Sequence, residues 1–285
     1  MNLTVCFKII PDYEMVPVHR WEVSGLEPLA LRFVRQAFNC YEESALEMAL
    51  ALGETGGSAR QDSGSPASAV LGENRVARTA LTVDDERADL FLRHLVAAGY
   101  DRAVRIAPDQ DLRFSPGAVA RIIAAAVNRF RSQDLVILGP RGGEGDHCQT
   151  GPLVAELLGW PCLMGVSGLA LTENGLLEVR TITDRAHRIY TVAPPLVLVT
   201  GHALDFSCLR VPTLNQKLSA RKKPVETLLP ADLGLSVGYL AGTDPLPAEL
   251  ILPAPKQTCT RIEGADPREK ARNLFDRYLK SRLVS

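Results

Sequence analysis

The sequence predicts an α/β fold in which a parallel β-sheet carries helices on both faces. Within the first 160 residues, short apolar runs of strand length alternate with helical patterns in the order β-α-β-α-β-α-β-α. This alternation is typical of parallel sheets, because each strand needs a crossover connection before the next one can run in the same direction. The chain has 285 residues, of which 46% are hydrophobic and 23% charged, so it can bury a substantial core.

Apolar runs and helix-end signals predict the boundaries of these elements. Gly53 ends the first helix, and Ser115 caps the third helix with Pro116 at its first position. A turn at Thr183–Asp184 joins two later strands into a hairpin. The predicted strands span residues 3–10, 76–83, 103–106, 135–138, 175–182, 187–192 and 196–200, and the predicted helices span 39–53, 84–98, 116–130 and a segment ending at 158.

The pattern divides the chain into a domain over residues 1–203 and a different segment over 204–285. Residues 54–74, rich in Gly, Ser, Ala and Asp, are predicted to be a flexible insertion in the first part. The second part has little periodicity until Asp266, which caps a terminal helix with Pro267 at its start and Glu269 three residues after the cap. An extended arm of this kind either embraces a partner subunit or folds back on its own core.

Composition and cysteine spacing exclude several classes of function. The formal net charge of −1 gives no overall attraction for nucleic acid or anionic membranes. The longest apolar stretch, residues 189–204, is interrupted by Pro194 and Pro195, and the N-terminus has the pattern of a strand and not of a signal peptide. The six cysteines are scattered without a Cys-x-x-Cys pair, and the adjacent His147 and Cys148 are too few for a metal site. These features predict a cytoplasmic protein without a metal centre or membrane insertion.

A glycine-rich loop follows the strand at 135–138 and leads into the next helix. Glycines let the backbone approach a ligand closely, and free N–H groups at a helix N-terminus attract phosphate. The loop lacks the Gly-Lys-Ser/Thr of a P-loop and the Gly-x-Gly-x-x-Gly of dinucleotide-binding folds. The alternative to a phosphate-binding loop is therefore an ordinary connection from strand to helix, with Thr150 as the N-cap of the helix. Since ligands of such folds bind at the carboxyl ends of the strands, the loops at Pro11–Asp12 and Val83–Asp85 are expected to converge on it.

Six short segments, taken together, resemble the beta subunits of electron transfer flavoproteins. These segments are Lys8–Asp12, Asn39–Ala49, Gly99–Arg102, Asp146–Gly151, Leu158–Pro161 and Ala220–Pro224. The resemblance covers most of residues 1–235. It implies a Rossmann-like domain of the adenine nucleotide alpha hydrolase-like type, in a heterodimer of alpha and beta subunits that carries electrons from flavin dehydrogenases to an acceptor. Such a subunit is an electron carrier and not an enzyme, and no catalytic residue is expected.

The same resemblance implies cofactors and a nucleotide site. The redox FAD would be held mainly by the alpha subunit, and the beta subunit would hold AMP or, as in electron-bifurcating members, a second FAD. The positions that match the family's nucleotide site are Cys6, Asn39, Cys40, Tyr41, Glu42, Val83, Gly139, Arg141, Gly142, Gly143, Asp146, Cys148, Gln149, Thr150 and Gly151.

The resemblance also implies a surface that docks onto partner dehydrogenases. Leu214 matches an apolar anchor that inserts into the partner, while basic side chains around it would steer association. These basic residues are Arg210, Lys217, Arg221, Lys222 and Lys223. Without the resemblance, the stretch would be interpreted as a solvated basic loop.

The chain departs from the family pattern at several positions. Asn39-Cys40-Tyr41 stands where Asn-Pro-Phe/Tyr is common, Asp84 stands where a glycine is common, and the insertion at 54–74 has no counterpart. Two other hypotheses remain open. One is a stand-alone adenine-nucleotide-binding regulator of the universal-stress type, and the other is an enzyme that uses Cys148 beside His147.

Overall fold

The predicted α/β fold is confirmed by a nine-stranded, mostly parallel sheet with helices on both faces. The computed structural model describes residues 1–15, 34–52, 76–130, 132–142, 146–201, 208–240 and 259–283. The strands are β1 (Asn2–Cys6), β2 (Ile9–Pro11), β3 (Gln36–Phe38), β4 (Ala77–Val83), β5 (Arg102–Ile106), β6 (Leu135–Leu138), β7 (Cys162–Leu171), β8 (Leu177–Thr183), β9 (Ala186–Val192), β10 (Leu196–Thr200) and β11 (Glu226–Leu228). The helices are α1 (Cys40–Ala51), α2 (Asp89–Ala98), α3 (Pro116–Phe130), α4 (Thr150–Leu158), α5 (Leu214–Ala220), α6 (Val237–Leu240) and α7 (Pro267–Leu274).

The order of strands in the main sheet is β11-β5-β4-β1-β6-β10-β7-β8-β9. Every pair from β11 to β7 is parallel, whereas β7, β8 and β9 form an antiparallel extension. The predicted hairpin is confirmed as β8 and β9. From β1 the chain moves through β4 to β5 in one direction, and it then crosses to β6 on the other side of β1. This change of direction opens a crevice beside the carboxyl ends of β1 and β6.

Two hydrophobic clusters pack the two faces of the sheet. Side chains of α1 and α2 cover one face, where Leu46 and Leu95 meet Leu3 and Val5 of β1. Side chains of α3 and α4 cover the other face around β5 and β6. The central strands are buried on both sides, which explains why they are short apolar runs without polar alternation.

The predicted strand at residues 3–10 is interrupted after Cys6. The backbone N–H of Phe7 still bonds to Leu81, but Ile9–Pro11 then pair antiparallel with Gln36–Phe38 in a separate two-stranded sheet. The predicted loop at Pro11–Asp12 therefore lies in or beside this small sheet.

Two strands of the main sheet and two helices, α5 and α6, were not predicted. In β7, Gly165 has a φ of 70° and the pairing register shifts next to it, so the sequence lacks an uninterrupted strand pattern. The strand β11 has three residues and lies at the sheet edge, although its chain position is inside the predicted arm. The helix α5 begins with a capping box formed by Thr213 and Gln216.

The terminal helix is confirmed, and its cap forms as predicted. The side chain of Asp266 accepts a hydrogen bond from the backbone N–H of Glu269, and the helix continues from α7 through a π-helical turn, Phe275–Leu279, to a 3₁₀ turn, Lys280–Arg282. None of the described residues from 259 onward is buried. The predicted insertion at 54–74 and Gly143 of the glycine loop lie outside the described residues.

Candidate functional site

The crevice beside the carboxyl ends of β1 and β6 is the candidate site. Parallel pairing sets Cys6 opposite Leu81 of β4, and Val5 opposite Ile137 of β6, so these three strands end at the same edge. The helices α1 and α4 begin at this edge. Ligands of open α/β sheets bind at such a change of direction.

Asn39 joins the start of α1 to the glycine loop. Its side chain is 4% exposed, and its Nδ2 donates a hydrogen bond of 2.6 Å to the backbone carbonyl of Arg141. Its backbone N–H donates to the carbonyl of Lys8, just after β1. Asn39 therefore connects the start of α1 to the glycine loop and to the segment after β1. These hydrogen bonds give Asn39 a positioning role, whether or not its amide also contacts a ligand.

Glu42 is a buried carboxyl group one turn into α1. A Cβ atom added at Gly139 would lie 3.0 Å from both Cδ and Oε1 of Glu42, so this carboxyl packs directly on the backbone of the glycine loop. Burial raises the pKa of Glu42 to about 8, although hydrogen bonds from Asn39 and from the backbone of Lys8 favour the charged form. The carboxyl is therefore largely protonated at neutral pH.

Arg141 and Tyr41 form an exposed lip above the crevice. The guanidinium group of Arg141 donates to the Tyr41 hydroxyl at 2.8 and 3.2 Å and lies 5.3 Å from the centre of the aromatic ring. It also contacts the carboxylate of Asp146 at 3.4 Å. The buried hydroxyl of Thr200, on β10, lies 3.1 Å from the carbonyl of Tyr41 and 3.2 Å from that of Leu138, so it links α1 to β6 below the lip.

The loop before α4 has an unusual backbone conformation at two of its residues. Asp146 and Cys148 both have positive φ angles, of 45° and 57°, and such non-glycine conformations need support from their surroundings. Gln149 occupies the N-cap position without a side-chain cap, and Thr150 is the first helical residue. An ordinary connection would have Thr150 as the N-cap, with its side chain bonded to the first N–H groups of α4. Those N–H groups have no side-chain cap here.

Gly151 lets α4 approach the sheet. It is buried in the first turn of α4, and a Cβ atom at this position would lie 2.4 Å from Cγ2 of Val199 on β10. A side chain there would push the start of α4 away from the sheet. Gly142, which lies between Gly139 and Gly151 in this loop, is half-buried.

Cys6 and Val83 are the last residues of β1 and β4. Cys6 is buried, and burial together with the nearby Glu42 raises the pKa of its thiol. Asp84, just after β4, has its pKa raised to about 6, chiefly by burial, while the charge of Lys8 opposes this shift. The exposed Cys40 begins α1, and its Sγ lies 3.9 Å from Oδ1 of Asn39.

Three buried polar atoms have no hydrogen-bond partner in the described part of the chain, and their residues all lie on segments that lead to this edge. They are Oε2 of Glu42 at the start of α1, Oγ1 of Thr82 near the end of β4, and Nε2 of His147 in the loop before α4. Unpaired buried polar atoms are rare because each one loses its hydrogen bonds to water. Their segments are those in which the sequence predicted a nucleotide site.

The predicted docking residues lie on and around α5. Leu214 is the first residue of α5 and is 71% exposed, and Lys217, Arg221, Lys222 and Lys223 are exposed near it. Arg210 differs from them, because its backbone N–H and its guanidinium group both donate to the carboxylate of Glu47 on α1, the shortest contact being 2.7 Å. Arg210 therefore anchors the segment before α5 to the domain.

Several residues of the site escaped the sequence analysis. Thr82 and Thr200 lie in no motif, and Glu47, although it lies inside the segment Asn39–Ala49, was given no role. Only the packing of distant strands and helices gives each of them its contacts. His147 was considered only as a metal ligand or a catalytic partner of Cys148, yet its ring meets Phe114 in an edge-on contact at 6.3 Å.

No group of three or more His, Cys, Asp or Glu side chains among the described residues could hold a metal ion. No helix in the described ranges combines the length and the apolar character that a membrane span requires.

Comparisons with known proteins agree on one family. The model of the electron transfer flavoprotein domain matches residues 31–233. YgcR of Escherichia coli (strain K12), named as an electron transfer flavoprotein subunit, is 30% identical over 290 residues, covering 99% of both chains. A protein of Saccharomyces cerevisiae, named as an electron transfer flavoprotein subunit beta, is 24% identical over 228 residues, covering 80% of this chain and 79% of the relative.

Proposed function

Since the chain belongs to the electron transfer flavoprotein family, we propose that it is the beta-type subunit of a heterodimer that carries electrons from flavin dehydrogenases to an acceptor. An alpha subunit would hold most of the redox FAD, and the present chain would hold AMP or a second FAD in the crevice beside β1 and β6. The observation that carries the nucleotide proposal is the set of three unpartnered buried atoms, on Glu42, Thr82 and His147.

The crevice suits a nucleotide for three reasons. Gly139 has no side chain and is buried directly against Glu42, so the loop backbone and this carboxyl lie close enough to contact the same ligand. The start of α4 lacks a side-chain cap and can offer its N–H groups to a phosphate. The unpartnered oxygens and nitrogen offer hydrogen bonds to hydroxyl or base atoms of a nucleotide.

The residues of this chain bind and orient cofactors and carry out no bond-breaking step in this proposal. A bound flavin supplies the redox chemistry. Hydrogen bonds from Asn39 to the glycine loop, and from Thr200 to α1 and β6, keep the crevice in one shape. The bound cofactors therefore stay in position during electron transfer. The buried Cys6 has a raised thiol pKa and is a poor nucleophile, in agreement with a carrier role.

The arm and the docking segment provide the partner surfaces in this proposal. The terminal helix exposes an apolar face, which we assign to the alpha subunit and which consists of Leu274, Phe275, Tyr278, Leu279 and Leu283. Exposed apolar patches of this kind mark interaction surfaces. Leu214, rimmed by Lys217 and Arg221, would dock onto dehydrogenases, while Arg210 would hold that surface in position through Glu47. The six free cysteines suit a reducing, cytoplasmic compartment.

Co-expression with an electron transfer flavoprotein alpha subunit from the same organism tests the proposal. A yellow heterodimer is expected, and acid extraction should release FAD together with AMP, or two FAD per heterodimer. Asn39→Ala is expected to lower the content of the second nucleotide and to spare the redox FAD, with the exposed Asn174→Ala as the control. A colourless chain that does not associate would refute the proposal. A stable homodimer that binds ATP without any alpha subunit would favour the universal-stress type of regulator instead.

A further inference from the structure

Glu42 is an acidic side chain at a position where an ordinary anion-binding loop would avoid one. Its side chain lies beneath Gly139, it is 8% exposed, and its Oε2 has no hydrogen-bond partner among the described residues. A buried carboxyl oxygen without a partner is destabilising, so a ligand atom that pairs with it would be favoured.

The groups around Glu42 do not compensate an ionised carboxylate. Lys8 is the cation that favours its charge, and Lys8 also acts on Asp84 after β4 and on Asp111 after β5. On the β1 side the neighbouring group is Cys6, and Gly139, just after β6, brings no charge. Lys8 therefore acts on three carboxyl groups, of which Asp84 is also influenced by Arg87 and Asp111 by Arg113, whereas Lys8 is the one cation that acts on Glu42 among the described residues.

Other charged groups of the neighbouring elements add little positive charge to the crevice. At the N-cap of α1, Asn39 donates to the carboxyl, and on α1 itself the half-buried Glu43 adds a second acid in the next position. In the loop before α4, Arg141 is exposed and is bound to Tyr41 and Asp146. An ionised Glu42 beside a nucleotide phosphate would therefore meet further negative charge.

We propose that Glu42 makes the crevice accept an adenine nucleotide only together with a proton: the neutral carboxyl donates its hydrogen to an acceptor atom of the nucleotide, and the ionised carboxyl repels it. The inference rests on the proposed nucleotide site of this subunit. Glu42 acts as a specificity-determining residue in this scheme. Its neutral carboxyl favours ligands that place an acceptor atom beside Oε2, and its ionised carboxylate disfavours the same ligands. A pKa of about 8 would set the switch just above neutral pH.

Calorimetric titration of the full heterodimer, dialysed free of the second nucleotide, tests the inference. AMP, and FAD in parallel, are titrated at pH 7, 8 and 9, where the AMP phosphate no longer changes its charge appreciably because its second pKa is about 6. The affinity of the wild-type complex is expected to fall about tenfold for each pH unit above 8. Glu42→Gln keeps a neutral hydrogen-bond donor and is expected to bind with the same affinity at each pH.

Glu43→Gln serves as the matched control, because it removes a carboxylate from the adjacent position of the same helix. Any simple electrostatic effect of that change should alter the affinity by one constant factor and leave the wild-type pH dependence intact. A second measurement uses the wild-type complex alone: titrations at pH 9 in buffers with different ionisation enthalpies should show that about one proton is taken up with each nucleotide. This measurement does not depend on the folding of a variant.

The possible outcomes separate the two proposals. Nucleotide binding that is independent of pH in the wild type, binding by Glu42→Gln that follows the wild-type pH dependence, or no proton uptake at pH 9 would each overturn the role of Glu42 and leave the nucleotide site standing. Loss of binding in Glu42→Gln at pH 7 would overturn it too, because that variant preserves the donor. Absence of AMP and FAD binding by every form at every pH would refute the nucleotide site itself.

Discussion

Glu42→Gln is expected to stabilise the protein at alkaline pH and to have little effect at acidic pH, even without a ligand. Burial raises the pKa of Glu42 from 4.5 to about 8. Because the folded state holds this proton more tightly than the unfolded chain, the free energy of unfolding falls as the pH rises from about 4.5 to about 8, and it does not recover above that. The glutamine amide never ionises, so the variant avoids this loss.

The magnitude follows from the gap between the two pKa values. At about 1.4 kcal/mol per pH unit, the gap from 4.5 to about 8 corresponds to roughly 5 kcal/mol. This figure is an upper bound, because an ionised carboxylate can draw in water or shift toward Lys8, and we expect a measured gain of roughly 2–5 kcal/mol at pH 9. Asp84, whose pKa is raised to about 6, contributes equally to both proteins and cancels in the difference.

Urea denaturation followed by circular dichroism, at pH 5, 6, 7, 8 and 9, measures this difference. The gain in the variant should grow from pH 5 to pH 8 and then level off. Glu173→Gln, which removes an exposed carboxylate from the turn between β7 and β8, should give a difference that does not change in this way. A difference between wild type and Glu42→Gln that is constant from pH 5 to pH 9 would refute the reasoning, because it would mean that the folded state does not hold the proton.

Two further substitutions and one truncation test the packing of α4 against the sheet and the two proposed partner surfaces. Gly151→Ala forces a Cβ atom against Val199 at 2.4 Å and should lower the free energy of unfolding by about 1–3 kcal/mol in urea denaturation. Leu214→Ala should change that free energy by less than about 0.5 kcal/mol, because the side chain is 71% exposed, yet it should slow electron transfer from a dehydrogenase in stopped-flow measurements. Truncation after residue 258 should leave the urea midpoint unchanged, because none of the described residues from 259 onward is buried, and should abolish co-purification of the alpha subunit.

Each of these predictions has a control and a contrary outcome. Gly238→Ala adds a Cβ atom that meets nothing within 4 Å, and a loss of stability equal to that of Gly151→Ala would count against the packing account. Leu90→Ala removes an exposed leucine from α2. An equal effect of this control on electron transfer would show that Leu214 is not a specific docking residue. Retention of the alpha subunit by the truncated chain would disprove the role assigned to the terminal helix.

Local signals in the sequence predicted the elements that depend on nearby residues. The Asp266–Glu269 cap forms as expected, and α1 begins one residue after Asn39. These features rest on hydrogen bonds and periodicity within a few residues, so the sequence contains all of the information they need. The β7 strand and the β11 edge strand were missed because their stability comes from pairing with strands far away in the chain.

In the candidate site, too, the sequence predicted some positions, but it did not predict the contacts between them. The residues themselves predicted a ligand at the glycine loop, and the family resemblance added Asn39 and Glu42 as expected site positions. No sequence pattern revealed that Asn39 donates to the carbonyl of Arg141 or that Arg210 is bound by Glu47. The partners in these two contacts are separated by 102 and 163 positions in the chain. Contacts of this kind follow from how helices and strands pack, and no local spacing encodes them.

The sequence by itself determined the fold class, the order of the central elements and the family to which the chain is similar, because alternating apolar periods and short motifs are properties of neighbouring residues. Only the tertiary structure decided the environment of Glu42. The closure of α1 over β1 and β6 removes this carboxyl from water, presses it against Gly139 and leaves one of its oxygens without a partner in the described chain. Burial changes the charge of an acid, and burial is a property of the assembled fold.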